Sequence, residues 1–445
     1  MPKNQRKNMS AFTVIWVGQV FSLLGTSMTR FALTIWAWSI TGEATTLALV
    51  GFFSYAPTVL LSPFAGALVD RWNRKLAMML SDLAAGISTI IVLLLFVTGN
   101  LQIWHLYVTG AFSGAFLAFQ FPAYSATITM LVSKDQYGRA SGMLSIARYG
   151  SSIFAPVLAS ILLGIIGING ILSVDVITLL VAISVLLLIR IPQPKVTEEG
   201  RKSKGNLWKE SIYGFRYISK RPSLLALQLL YFFIMLFVFF AITVMSPMIL
   251  ARTGSDVTVL GIVESAFGIG GIIGSVVLSV WGGPKRRING VFIGFIFAML
   301  GLLLMGLGRD PFVWALAAFF TMFFVPILDG SDQAIWQSKV PPDVQGRVFG
   351  SRLLLSDSSI PISMLLAGPL ADHIFEPAMM QGGSLVAIFG GLVGTGPGAG
   401  MSLIFVFAGA LGILIALIGF SLRVVRNVED ILPDHKGEAE LPKDA

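Results

Sequence analysis

Charged side chains stand inside several long stretches of the sequence that are otherwise apolar. They are Arg30, Arg148, Asp175, Glu264, Asp329, Asp332, Arg352 and Asp357. At bilayer depth an ionisable side chain costs at least about 2.5–3.5 kcal/mol, so each of these residues needs a partner or a task. Carboxylates in this setting can carry protons, and arginines can pair with carboxylates or bind anions. These residues are therefore the candidates for proton coupling or gating.

Arg30 continues a polar stripe along the first apolar stretch. Its members recur every three or four residues, which places them on one helix face, as in a helix that lines a cavity. They are Gln19, Ser22, Thr26, Thr29 and Arg30. Asp175 lies in the same half of the chain and can form a buried ion pair with Arg30. The other interpretation, compatible with the first, is a pair linked to substrate or to protons.

The remaining carboxylates each have two interpretations. Glu264 stands among glycines and either carries a coupling proton or is a hydrogen-bonded packing residue. Asp329 and Asp332 are three residues apart on one helix face. They either accept a proton or bind a cation, or they pair with Arg347 or Arg352.

A possible gate involves Asp357, about 15 Å into its helix at 1.5 Å per residue. Arg148 lies at a similar depth in an equivalent helix of the first half. An Arg148–Asp357 bridge between the two halves is therefore a gate candidate.

The sequence gives no support for thiolate catalysis, metal binding or phosphate binding. There is no Cys, and the three His residues are far apart, so thiolate catalysis is excluded and a metal site is unlikely on composition. The glycine-rich segment 391–400 is not followed by Lys-Ser/Thr, so it does not bind phosphate. We predict no catalytic residue, no metal and no cofactor, with a proton gradient as the energy source. A membrane enzyme is the least favoured class.

The elements that carry these residues are long apolar helices. Hydrophobic types make up 55% of the 445 residues and charged types 12%, far from the roughly 25% charged residues of soluble domains. No strand-like alternation is present, and about 20 apolar residues suffice to cross a bilayer as a helix. Twelve stretches qualify: 11–40, 46–69, 76–98, 102–131, 139–166, 169–190, 223–250, 257–281, 288–308, 311–336, 348–374 and 398–424.

The basic residues predict the orientation. With the N-terminus in the cytoplasm, almost all of the 31 Lys and Arg residues fall on the cytoplasmic side or inside helices. Arg252 and Arg309 are the exceptions on the outer side. The net charge of +8 is thus a topological signal and does not indicate nucleic acid binding.

The chain divides into two related halves. The polar segment 190–221 separates six stretches from six, and 207–219 within it is either a short amphipathic helix or a plain linker. The pattern V-x-x-D-x-x-G-R-x-x-G occurs after the fourth stretch and again after the tenth. Its central residues are Asp135, Gly138 and Arg139 in one copy and Asp343, Gly346 and Arg347 in the other. Such internal repeats are typical of transporters whose halves rock about a midplane site.

The loop after the second stretch carries a recognisable motif. It contains Gly66, Asp70, Arg71, Arg74 and Lys75 in the pattern G-x-L-x-D-R-x-x-R-K. This resembles the signature of the major facilitator superfamily, except that Asn73 replaces a glycine and could tolerate left-handed backbone angles. The resemblance implies a conformational latch in which Asp70 meets the start of the eleventh helix. The arginines would then reach carboxylates such as Asp82.

Further segments resemble the macrolide-efflux and enterobactin-exporter branch. They are 16–19, 25–33, the form LVDRWNRK of the loop motif, and 340–350. The segment 155–160 is a degraded match to an antiporter signature. The resemblance implies that spans one, four, seven and ten line a cavity. Its candidate residues are Gln19, Thr26, Gln120, Tyr124, Gln228, Tyr231 and Met235.

We therefore predict an all-α membrane protein with twelve transmembrane helices in two six-helix bundles, the major facilitator fold, with both termini cytoplasmic. The bundles are 1–190 and 223–426, the linker is 191–222, and 427–445 is a loose polar tail. The predicted function is proton-coupled efflux of small amphiphilic molecules of the drug, macrolide or siderophore type by a monomer in the plasma membrane. Its partners are a small-molecule substrate and membrane lipid. The alternatives are an importer or lysolipid-moving protein of this fold, or a non-transporting sensor or scaffold.

Overall fold

The first half of the chain folds into long helices. A computed structural model describes residues 9–71, 73–132, 136–189, 207–341 and 344–433, and all regular secondary structure in these ranges is helical. The helices of the first half are α1 (Met9–Thr41), α2 (Ala44–Arg71), α3 (Arg74–Val97), α4 (Ile103–Leu131) and α5 (Tyr137–Leu188). α5 breaks at Gly167, whose φ of 64° and ψ of −174° are not helical. Glycine adopts a positive φ without strain, and the break separates the predicted spans 139–166 and 169–190.

The second half begins with α6 (Leu207–Ser219), which covers the residues of the predicted amphipathic helix. The following helices are α7 (Pro222–Thr243), α8 (Met245–Thr253), α9 (Val257–Trp281), α10 (Arg287–Leu307), α11 (Pro311–Lys339), α12 (Gln345–Asp357), α13 (Ser359–Leu370), a π-helical segment (Ala371–Phe375), α14 (Glu376–Met379), α15 (Val386–Val393), α16 (Ala399–Ser421), α17 (Arg423–Arg426) and α18 (Val428–Ile431). Two predicted spans are thus interrupted, 223–250 between α7 and α8 and 348–374 between α12 and α13.

The helices are long and apolar enough for a membrane. Ten segments of the described residues satisfy this criterion by length and composition. α4 coincides with the predicted span 102–131, and α5 contains two predicted spans. Twelve crossings with cytoplasmic termini remain a prediction.

Short polar side chains define where several helices begin. Asp256 Oδ1 accepts hydrogen bonds from two backbone N–H groups in the first turn of α9, and Asp310 does the same for α11. Asn73 caps α3 in the same way, through Lys75 N at 3.0 Å and Leu76 N at 3.3 Å. Its φ of −66° and ψ of 115° are extended. The asparagine in the loop motif therefore acts as a helix cap and does not adopt the left-handed conformation suggested by its replacement of a glycine.

Two helix pairs make the most extensive contacts between the halves. Within the first half α1 packs on α5, and α2 and α3 pack on α4; within the second half α10 packs on α11 and α16. Between the halves, α5 packs against α9 and α2 packs against α13. The predicted outer ends of these helices are those at Thr41, Ala44, Thr253 and the C-terminal end of α13, and "outer end" refers to this end below.

Arg252 and Arg309, the two arginines on the predicted outer side, form hydrogen bonds that hold an outer loop in place. Arg252 Nη2 donates to the carbonyl of Val393, and Arg309 Nη2 donates to the carbonyls of Gly391 and Leu392. These carbonyls lie at the C-terminal end of α15, where helix geometry leaves acceptors without partners. Both exceptions to the positive-inside pattern therefore anchor the outer loop that precedes α16.

The start of the C-terminal tail is docked on the second half. The carboxylate of Glu429 accepts hydrogen bonds from Arg287 N and Ile288 N at the start of α10. Lys339 Nζ donates to the carbonyls of Glu429 and Leu432. The prediction of a loose tail from residue 427 onward is therefore wrong for 427–433, because a buried lysine and a helix terminus bind this segment. Residues 434–445 lie outside the described ranges.

Helix α9, which carries Glu264, packs closely on α11. Cβ atoms added at Gly270 and Gly274 would collide with the backbone carbonyls of Phe319 and Phe323. Two glycines four residues apart allow this approach of two helix backbones. The position of α9 within the second half is consequently fixed by backbone contact.

We predict that Gly274→Ala destabilises the protein by about 1–3 kcal/mol, the usual range for overpacking, because its Cβ would force α9 away from α11. Thermal unfolding of the purified protein in detergent measures this effect. Gly164→Ala is the matched control, since a Cβ there meets nothing within 4 Å. Equal melting temperatures for the two variants would contradict the packing argument.

Candidate functional site

A cavity of about 480 Å³ lies between the two halves of the molecule. Its walls come from α1, α2 and α5 of the first half and from α7, α8, α9, α11 and α13 of the second. Aromatic and thioether side chains form the apolar part of the wall: Phe31, Phe239, Phe267, Met322 and Met364. Large apolar walls with a few polar groups are typical of sites for small molecules.

Arg30 and Glu264 are the charged residues of this wall, and they come from opposite halves. Arg30 projects from α1 and Glu264 from α9, and the carboxylate attracts the guanidinium across the cavity. Ser246 Oγ donates to Glu264 Oε1 at 3.3 Å. The cavity thus offers one cation and one anion to a ligand within a largely apolar enclosure.

Arg30 does not pair with Asp175, which was the predicted ion pair. Asp175 is 2% exposed, and its two oxygens accept hydrogen bonds from Thr26 Oγ1 at 3.0 Å and Thr89 Oγ1 at 2.9 Å. Thr26 and Thr89 satisfy the carboxylate within the first half, while Arg30 faces the cavity. The polar stripe of α1 therefore has two functions, one internal to the bundle and one in the cavity.

Asp82 is the centre of a second buried polar cluster in the first half. Gln19 Nε2 donates to Asp82 Oδ2 at 2.7 Å, and Gln120 Nε2 donates to Asp82 Oδ1 at 2.8 Å. The carboxylate was predicted to meet arginines of the loop motif, whereas the structure gives both oxygens to glutamines of α1 and α4. Tyr124 lies near this cluster, and its hydroxyl is buried without a hydrogen-bond partner among the described residues.

A third cluster lies near the inner end of the second half. Asp332 forms an ion pair with Arg352, which also donates to Gln333 Oε1 at 2.7 Å. Asp329 accepts a hydrogen bond from the hydroxyl of Tyr231 at 3.0 Å. Asp332 and Arg352 hold α11 against α12, which is the pairing considered for these residues from sequence.

None of the seven predicted cavity residues lies in the wall of the cavity described here. Gln19, Thr26 and Gln120 bind two buried carboxylates of the first half, Asp82 and Asp175. Gln228 donates to Ser356 Oγ at 2.9 Å. The polar pattern that suggested a lumen reflects, for these residues, hydrogen bonds between neighbouring helices. Tyr124, Tyr231 and Met235 also lie outside the cavity wall, partly buried against the hydrophobic cores of their halves.

Asp372 connects the two halves at the outer end, and the sequence did not predict this role. Its carboxylate oxygens accept hydrogen bonds from Ala44 N at 3.0 Å and Thr45 N at 2.6 Å. These are the first residues of α2, so a carboxylate of the second half caps a helix of the first. A Cβ at Gly368 would lie 2.6 Å from Thr45 Cα, which shows how closely α13 and α2 approach. A lone aspartate at the outer end of a span was the available signal, but its partner helix could not be inferred.

Two more hydrogen bonds cross between the halves. Trp38 Nε1 donates to Ser255 Oγ at 3.3 Å at the outer end. Ser265 Oγ donates to the carbonyl of Ile153 at 2.6 Å, where α9 meets α5. A Cβ at Gly261 would lie 3.1 Å from the carbonyl oxygen of Pro156. Small residues thus bring α5 and α9 into close contact beside the cavity.

Several predicted residues lie outside the part of the chain whose side chains the structure describes. They are Gly66, Asp70, Arg71, Arg74, Asp135, Gly138, Arg139, Arg148, Asp343 and Gly346. The latch, the paired repeats and the Arg148–Asp357 bridge therefore remain predictions. Lys75 Nζ donates to the carbonyls of Leu187 and Ile189 at 3.0 Å, at the end of α5. Arg347 lies over the ring of Tyr213 on α6, at 5.6 Å from its centroid.

Two bacterial proteins of similar sequence share one name. The chain is 26% identical over 368 residues to macrolide efflux protein A of Streptococcus pyogenes, covering 82% of this chain and 90% of that protein. It is 27% identical over 323 residues to macrolide efflux protein A of Enterococcus faecalis, covering 72% and 98%.

Solved structures of two transporters resemble this fold. An inward-facing, unoccupied bacterial homolog of the human lysosomal transporter Spinster superposes with a TM-score of 0.65 at 15% identity, covering 92% of this chain and 95% of that one. A POT family transporter in complex with 5-aminolevulinic acid gives 0.66 at 13% identity, covering 93% and 96%. At these identities the likeness shows the fold alone.

The family follows from the sequence match. A sequence model of the Major Facilitator Superfamily matches residues 15–364, which is most of the chain. Together with the apolar helices and the relatives, this makes the protein a transporter rather than an enzyme and a multi-pass protein of the plasma membrane. The chain belongs to the Major Facilitator Superfamily.

Proposed function

We propose that the protein is a proton-coupled exporter of small amphiphilic molecules that works by alternating access. The observation that carries the proposal is the cavity between the halves, with Arg30 on one side and Glu264 on the other. The names of the relatives refer to efflux of macrolides, which supports export of bulky, partly apolar compounds. The aromatic and thioether walls suit such a ligand.

The proposed moving parts are the two bundles, 1–190 and 223–426, joined by the linker 191–222, with 427–445 as the C-terminal tail. In this proposal twelve helices cross the membrane and both termini are cytoplasmic. The outer end is held by α2 with α13 and by α5 with α9, including the cap from Asp372. Substrate enters from the cytoplasm or inner leaflet and leaves after the halves rock about the cavity.

Coupling in this proposal runs through the Arg30–Glu264 attraction. The two charges belong to different halves, so the attraction holds the halves together around the cavity. A proton on Glu264 removes the negative charge and with it this attraction, whereas a bound ligand competes for either charge. A change of protonation at Glu264 therefore alters the energy difference between the two conformations.

The coupling is tested with the purified protein in liposomes loaded with a radiolabelled macrolide. A one-unit pH difference is worth about 1.4 kcal/mol per proton, or roughly a tenfold substrate ratio. We expect transport against the gradient when the destination side is acidic and none when the pH is equal. Equal transport in both conditions would exclude proton coupling, and accumulation in right-side-out vesicles would indicate import.

We expect Glu264→Gln to abolish the response of transport to the pH gradient, because the glutamine is isosteric and cannot ionise. Arg30→Glu should reduce transport at least tenfold through repulsion with Glu264, and the exchanged double variant Arg30→Glu/Glu264→Arg should recover part of the loss. Asp310→Asn is the matched control, since it caps α11 outside the cavity and asparagine caps equally well. Full pH coupling in Glu264→Gln would contradict the assigned role.

We expect Asp372→Ala to open the outer end more often. A lost helix cap costs about 1 kcal/mol, which corresponds to roughly a fivefold shift in the conformational equilibrium. Because the chain has no native cysteine, Thr34→Cys in the cavity wall gives a single label site. The rate of labelling by a membrane-impermeant maleimide added from outside should rise about fivefold.

Asp310→Ala is the control for this measurement, because Asp310 caps only its own helix at the same end. An equal rise in that variant would show that general destabilisation, rather than the contact between the halves, governs the labelling rate.

A further inference from the structure

Asp82 is buried in the first half with neutral partners. It is 3% exposed, and each of its carboxylate oxygens accepts one hydrogen bond from a glutamine amide. In the part of the chain whose side chains are described, no cationic group lies within ion-pair distance of it. A charge at this depth is costly without a counter-charge, so the site is not built to hold a permanent ion pair.

A pair of glutamines can serve both protonation states of a carboxyl group. Each amide carries an NH₂ donor and a carbonyl acceptor of nearly the same shape. Facing a carboxylate, both glutamines present NH₂, as Gln19 and Gln120 do here. Facing a carboxylic acid, one glutamine turns its amide so that its oxygen accepts the new O–H. The carboxyl group keeps both of its hydrogen bonds, so protonation leaves neither of its oxygens without a partner. The turn gives up only the long contact from Gln120 Nε2 to Gln19 Oε1 at 3.5 Å.

Asp332 in the second half illustrates the opposite design. Its partner is the guanidinium of Arg352, which has donors only and stays charged. Protonation of Asp332 would leave a buried cation unpaired, at a cost of several kcal/mol. The two carboxyl groups are almost equally buried, and the chemistry of their partners distinguishes them.

Among the described side chains, the helices around Asp82 add few charged groups. α4 contributes Tyr124, a titratable side chain close enough to feel the charge of Asp82. α5 presents Leu179 to α3 and Val185 to α1, and it also presents Asp175, which accepts a hydrogen bond from Thr89 of α3. Lys75 on α3 is bound to carbonyls. Lys75 and Thr89, the partner of Asp175, each lie seven residues from Asp82, about 10 Å along α3 at 1.5 Å per residue.

We propose that Asp82 is a second proton-binding site, and that Gln19 couples the protonation state of Asp82 to the packing of α1 against α3. One proton from water adds to the carboxylate to form the acid, and the same proton is returned to water on release. Gln19 lies on α1, eleven residues or about 16 Å before Arg30, so turning its amide changes how α1 is held against α3. This role for α1 rests on the proposed function, whereas the binding of a proton to Asp82 does not.

Infrared pH-difference spectra of the full-length protein in liposomes, without substrate, test the site directly. We expect a carboxylic acid C=O band that appears as the pH falls and is lost in Asp82→Asn, which imitates the protonated state. Gln120→Arg should also abolish the band, because a fixed cation keeps Asp82 ionised. Glu264→Gln is the matched control and should leave the Asp82 band unchanged. The melting temperature of each variant identifies any that fail to fold.

The outcomes separate this proposal from the proposed function. A band that persists in Asp82→Asn, that survives Gln120→Arg in a folded protein, or that follows sodium concentration rather than pH would overturn the proton site. The infrared band could behave as expected while macrolide transport is independent of the pH gradient. That result would support the proton site at Asp82 and contradict proton-coupled export. If both proposals hold, Asp82→Asn and Gln120→Arg should lower the pH-driven part of transport at least tenfold.

Discussion

A bilayer offers no water to a buried charge, so every ionisable group inside this protein must be satisfied by the protein itself. The carboxylates meet this constraint with different partners. Asp332 has a guanidinium, Asp175 has two threonine hydroxyls and Asp82 has two glutamine amides. The chemistry of the partner determines whether the carboxylate is a fixed charge or a group that can change its charge. Glu264 differs again, because it faces a cavity with a single serine as its described donor.

The contacts between the halves are compatible with repeated separation. Four hydrogen bonds between the halves are described, and three of them lie at the outer end, two from Asp372 and one from Trp38. Each such bond is worth about 1 kcal/mol net, so none of them locks the structure. Close packing of small residues supplies the rest of the contact: Gly261 of α9 packs on α5, and Gly368 of α13 packs on α2. Such an interface is specific in geometry and modest in energy, as a transporter with two conformations requires.

Much of the fold could be predicted from the sequence because apolar length and helix-cap chemistry are local properties. The predicted spans lie on helices, although two of them are interrupted. The helix Leu207–Ser219 occupies the linker segment for which an amphipathic helix was one of two interpretations. The charged residues that matter were also visible, since charges in apolar segments are rare. Their partners were not visible, because helix rotation and neighbour identity are tertiary properties. Arg30 and Asp175 share a half of the chain, yet two threonines satisfy Asp175 and Arg30 faces outward to the cavity. Asp372 was missed because the helix it caps is more than 300 residues earlier in the chain.

The glycine contacts of α9 have a consequence for how motion can be read. Gly270 and Gly274 place the backbone of α9 directly on that of α11, so Glu264 cannot shift without the rest of its half. Arg30 is likewise held by α1, which packs along α5. The distance between Glu264 and Arg30 therefore depends on the angle between the two halves, each of which moves as a rigid body. A pair of spectroscopic labels near them would report the rocking of the whole molecule rather than the local mobility of a side chain.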